Sequence, residues 1–437
     1  MIDDGLRFPP GFVFGTATAA YQIEGAAAED GRGPSVWDTF SHTPGTVRDG
    51  DTGDVACDSY HRYAEDVALL AGLGARAYRF SISWSRVQPT GRGEVNRAGL
   101  DYYSRLVDSL RAAGITPAAT LFHWDLPQAL QDAGGWLVRA TAERFAEYAA
   151  VVAGALGDRM GLWITLNEPV VHTFNGHVEG SHAPGLRLGF DALTVAHHQL
   201  LGHGLAVPAL RAASAVPVGI TNNYSPTEPA TPADADAATG VDVLYNRLFT
   251  DPVLLGRYPV EVPGAADADV AAIAAPVDFL GVNYYFPQQV RVDPAAPLGF
   301  TAVPAPGEPR TAFDWPVVPD GLRRTLVDLR SAYGDALPPV HVTENGMAHD
   351  DVVGPDGTVD DPARVSYLDG HLRAVRAAID SGVDVRGYFC WSLLDNFEWA
   401  EGFSKRFGLV HVDFATLART PKTSYGWYRD LIAAQPR

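Results

Sequence analysis

Residues 60–83 read YHRYAEDVALLAGLGARAYRFSIS, and residues 100–123 read LDYYSRLVDSLRAAGITPAATLFH. Each passes from an amphipathic, helix-forming stretch through glycine into a short run of apolar residues. The first predicts a helix over Tyr60–Gly72, capped by Asp58 or Ser59, and a strand over Ala77–Ser83. The second predicts a helix over Leu100–Ala113, stopped at Gly114, and a strand over Pro117–His123.

The same alternation extends in both directions. Further strands are expected at Val13–Thr18, Leu162–Asn167, Val218–Asn222, Phe279–Tyr284, Val340–Glu344 and Gly387–Trp391, and a further helix at Arg364–Ser381. Near-continuous apolar runs suit parallel strands covered on both faces. Eight alternating units predict an α/β fold, a closed (β/α)8 TIM barrel with elaborated loops at its C-terminal face. A doubly wound sheet would need a glycine-rich phosphate turn after its first strand, and none is present. Thr227–Gly240, Val292–Arg310 and His349–Pro362 are rich in Pro, Gly, Ala and Asp and read as surface loops. One domain over residues 1–437 is expected.

Composition narrows the function classes. The chain has 437 residues, 46% of them hydrophobic, with 33 Lys and Arg against 52 Asp and Glu, a formal charge of −19. That surface repels nucleic acid and anionic lipid. No apolar run is long enough to span a bilayer, and MIDDGLRFPPGF at the N-terminus lacks the form of a secretory leader. Cys57 and Cys390 fit neither a disulfide framework nor a metal site; they read as free buried thiols in a reducing cytoplasm.

Barrel enzymes carry their chemistry at the C-terminal ends of the strands. There this sequence offers Gln22, Arg79 and Trp84, His123-Trp124, Asn167-Glu168, Asn283 and Tyr285, Glu344-Asn345, then Trp391 with Glu398-Trp399. Amides, carboxylates and indole N–H groups read hydroxyls directionally, and aromatic faces cover the C–H face of a pyranose. Hydrolysis of a glycosidic bond needs two carboxyl groups flanking the anomeric carbon, one protonated and one ionised. Taken singly each residue has a plainer reading: a strand-end glutamate as a cap or ion pair, Arg79 as a structural partner, His123 and the tryptophans as packing. Gly11 and Gly15 serve turn geometry under either reading.

The ordered motifs carry more. FVFGTATAAYQIEGA (12–26), YRFSISWSR (78–86), FHWDLP (122–127), TLNEP (165–169), HAPG (182–185), DFLGVNYY (278–285), VTENG (342–346) and WSLLDNFEWAEGFSKRFGLVHVD (391–413) resemble the family 1 glycoside hydrolases along essentially the whole chain. The resemblance implies a retaining β-glycosidase of the β-glucosidase type, with Glu168 as acid/base and Glu344 as nucleophile. It implies Asn167 on the sugar 2-hydroxyl, and Arg79 and Tyr285 flanking Glu344 so that the carboxylate stays ionised and oriented. It implies Gln22, His123, Glu398 and Trp399 on the remaining hydroxyls, Trp391 as the platform beneath the ring, and Asn283 and Phe407 as further lining. Expected substrates are small β-D-glucosides, with β-D-galactosides and β-D-fucosides, or oligosaccharides such as cellobiose. Neither a metal nor an organic cofactor is implied.

Two departures stand out. Val170, followed by Val171, occupies a position that is often Trp in the family, which alters the leaving-group wall. His341, where an aliphatic residue is usual, reads as a satisfied core histidine. Of the alternatives, a 6-phospho-β-glycosidase would meet a repelling carboxylate at Glu398, and a thioglucosidase would lack Glu168. A non-catalytic glycan-binding barrel would lack one glutamate, whereas a transglycosidase would share every residue named.

Overall fold

The structure, a computed structural model, describes residues 6–436 apart from Pro297. The first five residues of the N-terminal stretch read above, and Pro297 within the second expected loop, therefore lie outside the described residues. Eight parallel strands close a barrel: β1 Val13–Ala17, β2 Ala77–Ser81, β3 Thr116–Phe122, β4 Leu162–Asn167, β5 Val218–Asn223, β6 Phe279–Asn283, β7 Val340–Asn345 and β8 Val385–Trp391. Neighbours pair in chain order, and β8 returns to β1 with Val13 opposite Gly387 and Ala17 opposite Trp391. The expected strands agree to within two residues at either end.

The helices follow the amphipathic stretches, spanning Ser59–Leu73, Arg97–Ala112 and Pro362–Asp380 among others. The cap expected from Asp58 or Ser59 does not form. Asp58 takes φ 53° and makes no cap bond; its carboxylate faces His61 Nδ1 at 2.6 Å, while Ser59 Oγ donates to Asp66 at 2.7 Å. These partners outcompete the helix N–H groups for the two short side chains.

Two of the three expected loops are more ordered than their composition suggests. Thr227–Pro229, Gln288–Val292 and Phe300–Pro304 form a separate three-stranded sheet in the segments that follow β5 and β6. The helix Ala235–Asp242 packs on it through Ala238 and Val241 against Val290. Pairing between segments about sixty residues apart is a tertiary effect that local composition does not announce. The third, up to the helix start at Pro362, has only an isolated bridge between Val353 and Val359.

His341 is buried as expected, edge-on to Phe279 at 5.3 Å, and burial pushes it down to about 4. It is not satisfied: Nδ1 has no partner among the described residues. A Cβ on Gly387 would lie 2.6 Å from that nitrogen, so the ring packs against bare backbone. Cys57 and Cys390 are buried and free. Among the described residues no helix is long and apolar enough to cross a membrane.

Candidate active site

The upper barrel interior is a polar network. Arg79, on β2 and almost fully buried, donates through Nε to Thr120 Oγ1 (3.2 Å) and through Nη1 to the Thr343 carbonyl (3.1 Å). Nη1 also reaches Glu344 Oε1 and Nη2 reaches Asn167 Oδ1, both at 2.5 Å. Thr343 Oγ1 donates to Asn283 Oδ1 at 2.7 Å, which turns Asn283 Nδ2 towards Glu168 Oε1 (2.7 Å) and Asn167 Oδ1 (3.1 Å). The two buried carboxyl groups at the ends of β4 and β7 are thus joined by one chain, Glu168–Asn283–Asn167–Arg79–Glu344.

Local backbone geometry sets the carboxyl positions. Glu168 has φ 46° and ψ 60°, a left-handed conformation uncommon for a side-chain-bearing residue, and Pro169 starts a helix immediately after it. Trp124 (φ 75°) and Trp399 (φ 52°) share this geometry. Such residues cost about 1–3 kcal/mol each and gather at functional sites. Behind Glu344, a Cβ on Gly346 would lie 1.7 Å from the Trp391 carbonyl oxygen. Only glycine lets the chain leaving β7 pass so close to Trp391.

Burial, then the neighbouring Glu344 carboxylate, pushes Glu168 well above the usual carboxylate range, against the pull of Asn283 and Arg79. Burial raises Glu344 too, so its ionisation is not as free as the sequence suggested. The Arg79 charge and the Tyr285 hydroxyl, which donates to Glu344 Oε2 at 2.8 Å, oppose that rise.

The other expected residues gather around this pair. Asn167 Oδ1 already accepts from Arg79 and Asn283, so its Nδ2 is the atom facing His123 Nε2 at 3.0 Å. That makes Nε2 an acceptor and places the proton of the neutral ring on Nδ1. Burial holds His123 well below its ordinary range, and Nδ1 has no partner among the described residues. Gln22, fully buried in the turn after β1, donates through Nε2 to Asn396 Oδ1 (3.1 Å), the Phe397 carbonyl (2.9 Å) and Glu398 Oε2 (3.2 Å). Its Oε1 is likewise unpartnered. A buried polar atom without a partner costs about 1–3 kcal/mol, which a ligand hydroxyl can recover. Trp391 and Trp399 each stack near His123 with centroids 5.9 Å away, and Trp399 also packs on Trp124 at 4.7 Å.

A cavity of about 420 Å³ opens above these groups, lined by His123, Glu168, Tyr285, Glu344, Trp391, Glu398, Trp399 and Phe407. Gln22, Arg79, Asn167 and Asn283 hydrogen-bond to these lining residues. Burial, then Glu344, pushes the Glu398 carboxyl up to about 8. The cavity lining contains neither Lys nor Arg to meet a phosphate. Nearby Lys405 turns away to the Ala312 carbonyl at 2.7 Å. Among the described residues no group of three or more His, Cys, Asp or Glu is arranged to hold a metal ion.

The glycosyl hydrolase family 1 profile matches residues 5–436. The chain belongs to glycosyl hydrolase family 1. Within family 1 it is 52% identical to thermostable beta-glucosidase B of Thermobispora bispora, covering 98% of this chain and 91% of that protein. It is 48% identical to a bifunctional beta-D-glucosidase/beta-D-fucosidase of Bifidobacterium breve, covering 98% of each. The solved family 1 β-glucosidase of Thermotoga maritima superposes with a TM-score of 0.94 at 46% identity, covering 98% of each chain. The same enzyme has been solved with glucoimidazole and with deoxynojirimycin.

Apart from Val170 and Val171, read above as part of the leaving-group wall, the rest of the cavity lining went unread in the sequence. Phe286, Phe313 and Trp315 form an aromatic wall, with Phe313 stacked on Trp315 at 4.3 Å and Phe286 at 4.7 Å. Val170 and Val171 line the cavity too. Asn223 and Gln288 also line it, and Asn223 Oδ1 and Gln288 Oε1 lack partners among the described residues. Asn223 ends β5, so the strand-end rule would have found it. Trp315 lies in a segment with no periodicity to place it.

Proposed function

We propose that this retaining β-glucosidase uses Glu168 as general acid/base and Glu344 as nucleophile. The observation that carries the assignment is the chain Glu168–Asn283–Asn167–Arg79–Glu344. It holds two buried carboxyl groups across one cleft and gives only Glu344 the guanidinium and the phenol. Glu344 attacks the anomeric carbon while the carboxylic acid of Glu168 protonates the departing oxygen. The Glu168 carboxylate then takes a proton from water, which displaces Glu344 from the glycosyl-enzyme. The carboxyl separation for this course is about 5–5.5 Å. Asn167 holds the 2-hydroxyl, and Trp391 lies beneath the sugar. The His123 Nδ1–H takes a further hydroxyl, and Gln22 Oε1, Glu398 and Trp399 take those on the 4- and 6-hydroxyl side.

β-D-Glucosides are the principal substrates, as the names of the relatives and the glucose-like inhibitors in the Thermotoga maritima complexes support. The Bifidobacterium breve relative supports β-D-fucosides, and β-D-galactosides are expected as well. An aromatic wall sharing the cavity with the unpartnered Asn223 and Gln288 oxygens favours a second sugar as leaving group, as in cellobiose. Residues 1–437 act as one catalytic unit, in keeping with a principal core running from Leu6 to Ile432. The free thiols fit a cytoplasmic setting. The test is turnover of 4-nitrophenyl β-D-glucoside and cellobiose, with the first-formed sugar followed by proton NMR. β-Glucose is expected first; α-glucose first would overturn the retaining course.

A further inference from the structure

Of the 33 basic residues two are lysines, and Lys422 takes no part in the chemistry above. Its side chain is fully buried between two carboxylates: Nζ donates to Asp351 Oδ2 and, at 2.6 Å, to Asp395 Oδ1. Asp351 also accepts from Arg364 Nη2 at 2.8 Å, and Asp395 Oδ2 from Arg406 Nη1 at 2.8 Å. Arg364 pairs in turn with Asp361. Three carboxylates and three cations interlock in one cluster.

Its placement is what matters. Asp351 lies in the segment that leaves β7 after Glu344. Asp395 roots the loop after β8, which carries Asn396, Glu398 and Trp399 and returns through Phe407. Asp395 Oδ1 also accepts from the Gly408 N–H at 2.9 Å, closing the loop's base. The Lys422 N–H donates to the Leu409 carbonyl at 3.0 Å, so main chain and side chain grip the same loop. The Glu398 carboxyl accepts from Gln22, which also holds Asn396 and Phe397. This segment is anchored by Gln22 near its tip, by Asp51 and Arg48 through the Phe403 N–H (2.9 Å) and Glu401 (2.8 Å), and by Asp395 at its base. A compact ammonium with three donors fits between two closely facing carboxylates, whereas the planar fork of Arg needs more room. Buried ion clusters are poor stabilisers compared with apolar packing, and their better-attested role is to fix one arrangement.

We propose that Lys422 is a positioning residue for recognition of the sugar: through Asp395 it holds Glu398 and Trp399 against the 4- and 6-hydroxyls. This rests on the assignment of Glu398 made above. The test compares 4-nitrophenyl β-D-glucoside with 4-nitrophenyl β-D-xyloside, which lacks the 6-hydroxymethyl group, in Lys422→Met, Lys422→Arg and Glu398→Gln. In Lys422→Met the glucoside-to-xyloside ratio of kcat/KM should fall about tenfold or more, mainly through a higher KM for the glucoside, and Lys422→Arg should not restore it. Equal losses on both substrates, or a lower Tm with the ratio unchanged, would overturn the proposal. If Lys422→Met does not fold, Asp395→Asn decides, with the same fall expected and an unchanged ratio refuting. An unchanged ratio in Glu398→Gln overturns the Glu398 assignment itself; a fall there but not in Lys422→Met overturns only the role of Lys422.

Discussion

Replacing Tyr285 by Phe removes one hydroxyl and leaves the ring, which packs near Trp315 at 5.6 Å and Phe407 at 6.3 Å. The lost contact is the 2.8 Å donation to Glu344 Oε2. Burial and the adjacent Glu344 hold the phenol well above its ordinary range, so it remains a donor throughout the working pH range. A hydrogen bond to a charged group is worth about 1.5–3 kcal/mol. It favours the ionised form of Glu344, so its loss raises the Glu344 pKa further. At 1.36 kcal/mol per unit, the acidic limb of kcat/KM should move up by about 1–2 pH units. Loss of orientation should lower kcat at the optimum as well, by about tenfold to a hundredfold. The assay is the pH profile of 4-nitrophenyl β-D-glucoside hydrolysis, with Tm recorded to show that the fold is intact. An acidic limb that stays in place, or moves down, would refute the argument that this hydroxyl holds Glu344 ionised.

In Glu168→Gln the alkaline limb should flatten, because the group that burial and Glu344 raise so far is gone; an unchanged limb would point to another acid. Since the pair is coupled, both limbs are read as properties of the pair. 6-Phosphoglucosides should be turned over more slowly than glucosides, because the cavity lining offers no cation to the phosphate; the reverse order would contradict this reading of the lining. Glu398→Ala should cost about 1.5–3 kcal/mol in kcat/KM for the glucoside, measured as ΔΔG‡, and a loss below threefold would contradict it.

The barrel was legible because its strands are covered on both faces and so read as near-continuous apolar runs, while the helices between them keep their own period. Strand ends carried the inner site for the same reason: once β4 and β7 are placed, Asn167, Glu168 and Glu344 must stand at the mouth. The separate three-stranded sheet was not legible, since Thr227–Pro229 finds its partner at Gln288–Val292. The aromatic wall depends on where a segment without periodicity folds back, so nothing local marks Phe313 or Trp315. Lys422, Asp351 and Asp395 each look like ordinary surface charges in the sequence, and only the tertiary fold buries them together.

The division of labour between the two glutamates is tested most directly by azide rescue of the two alanine variants. In Glu344→Ala, azide enters the space vacated beneath the anomeric carbon of an activated aryl β-glucoside and should give the α-glycosyl azide. In Glu168→Ala the nucleophile remains, so substrates with good leaving groups still form the glycosyl-enzyme. Azide, which needs no base, should then attack from the opposite face to give the β-glycosyl azide. The same anomer from both variants, or no rescue in either folded protein, would contradict the assignment; exchanged anomers would mean that the two roles are reversed.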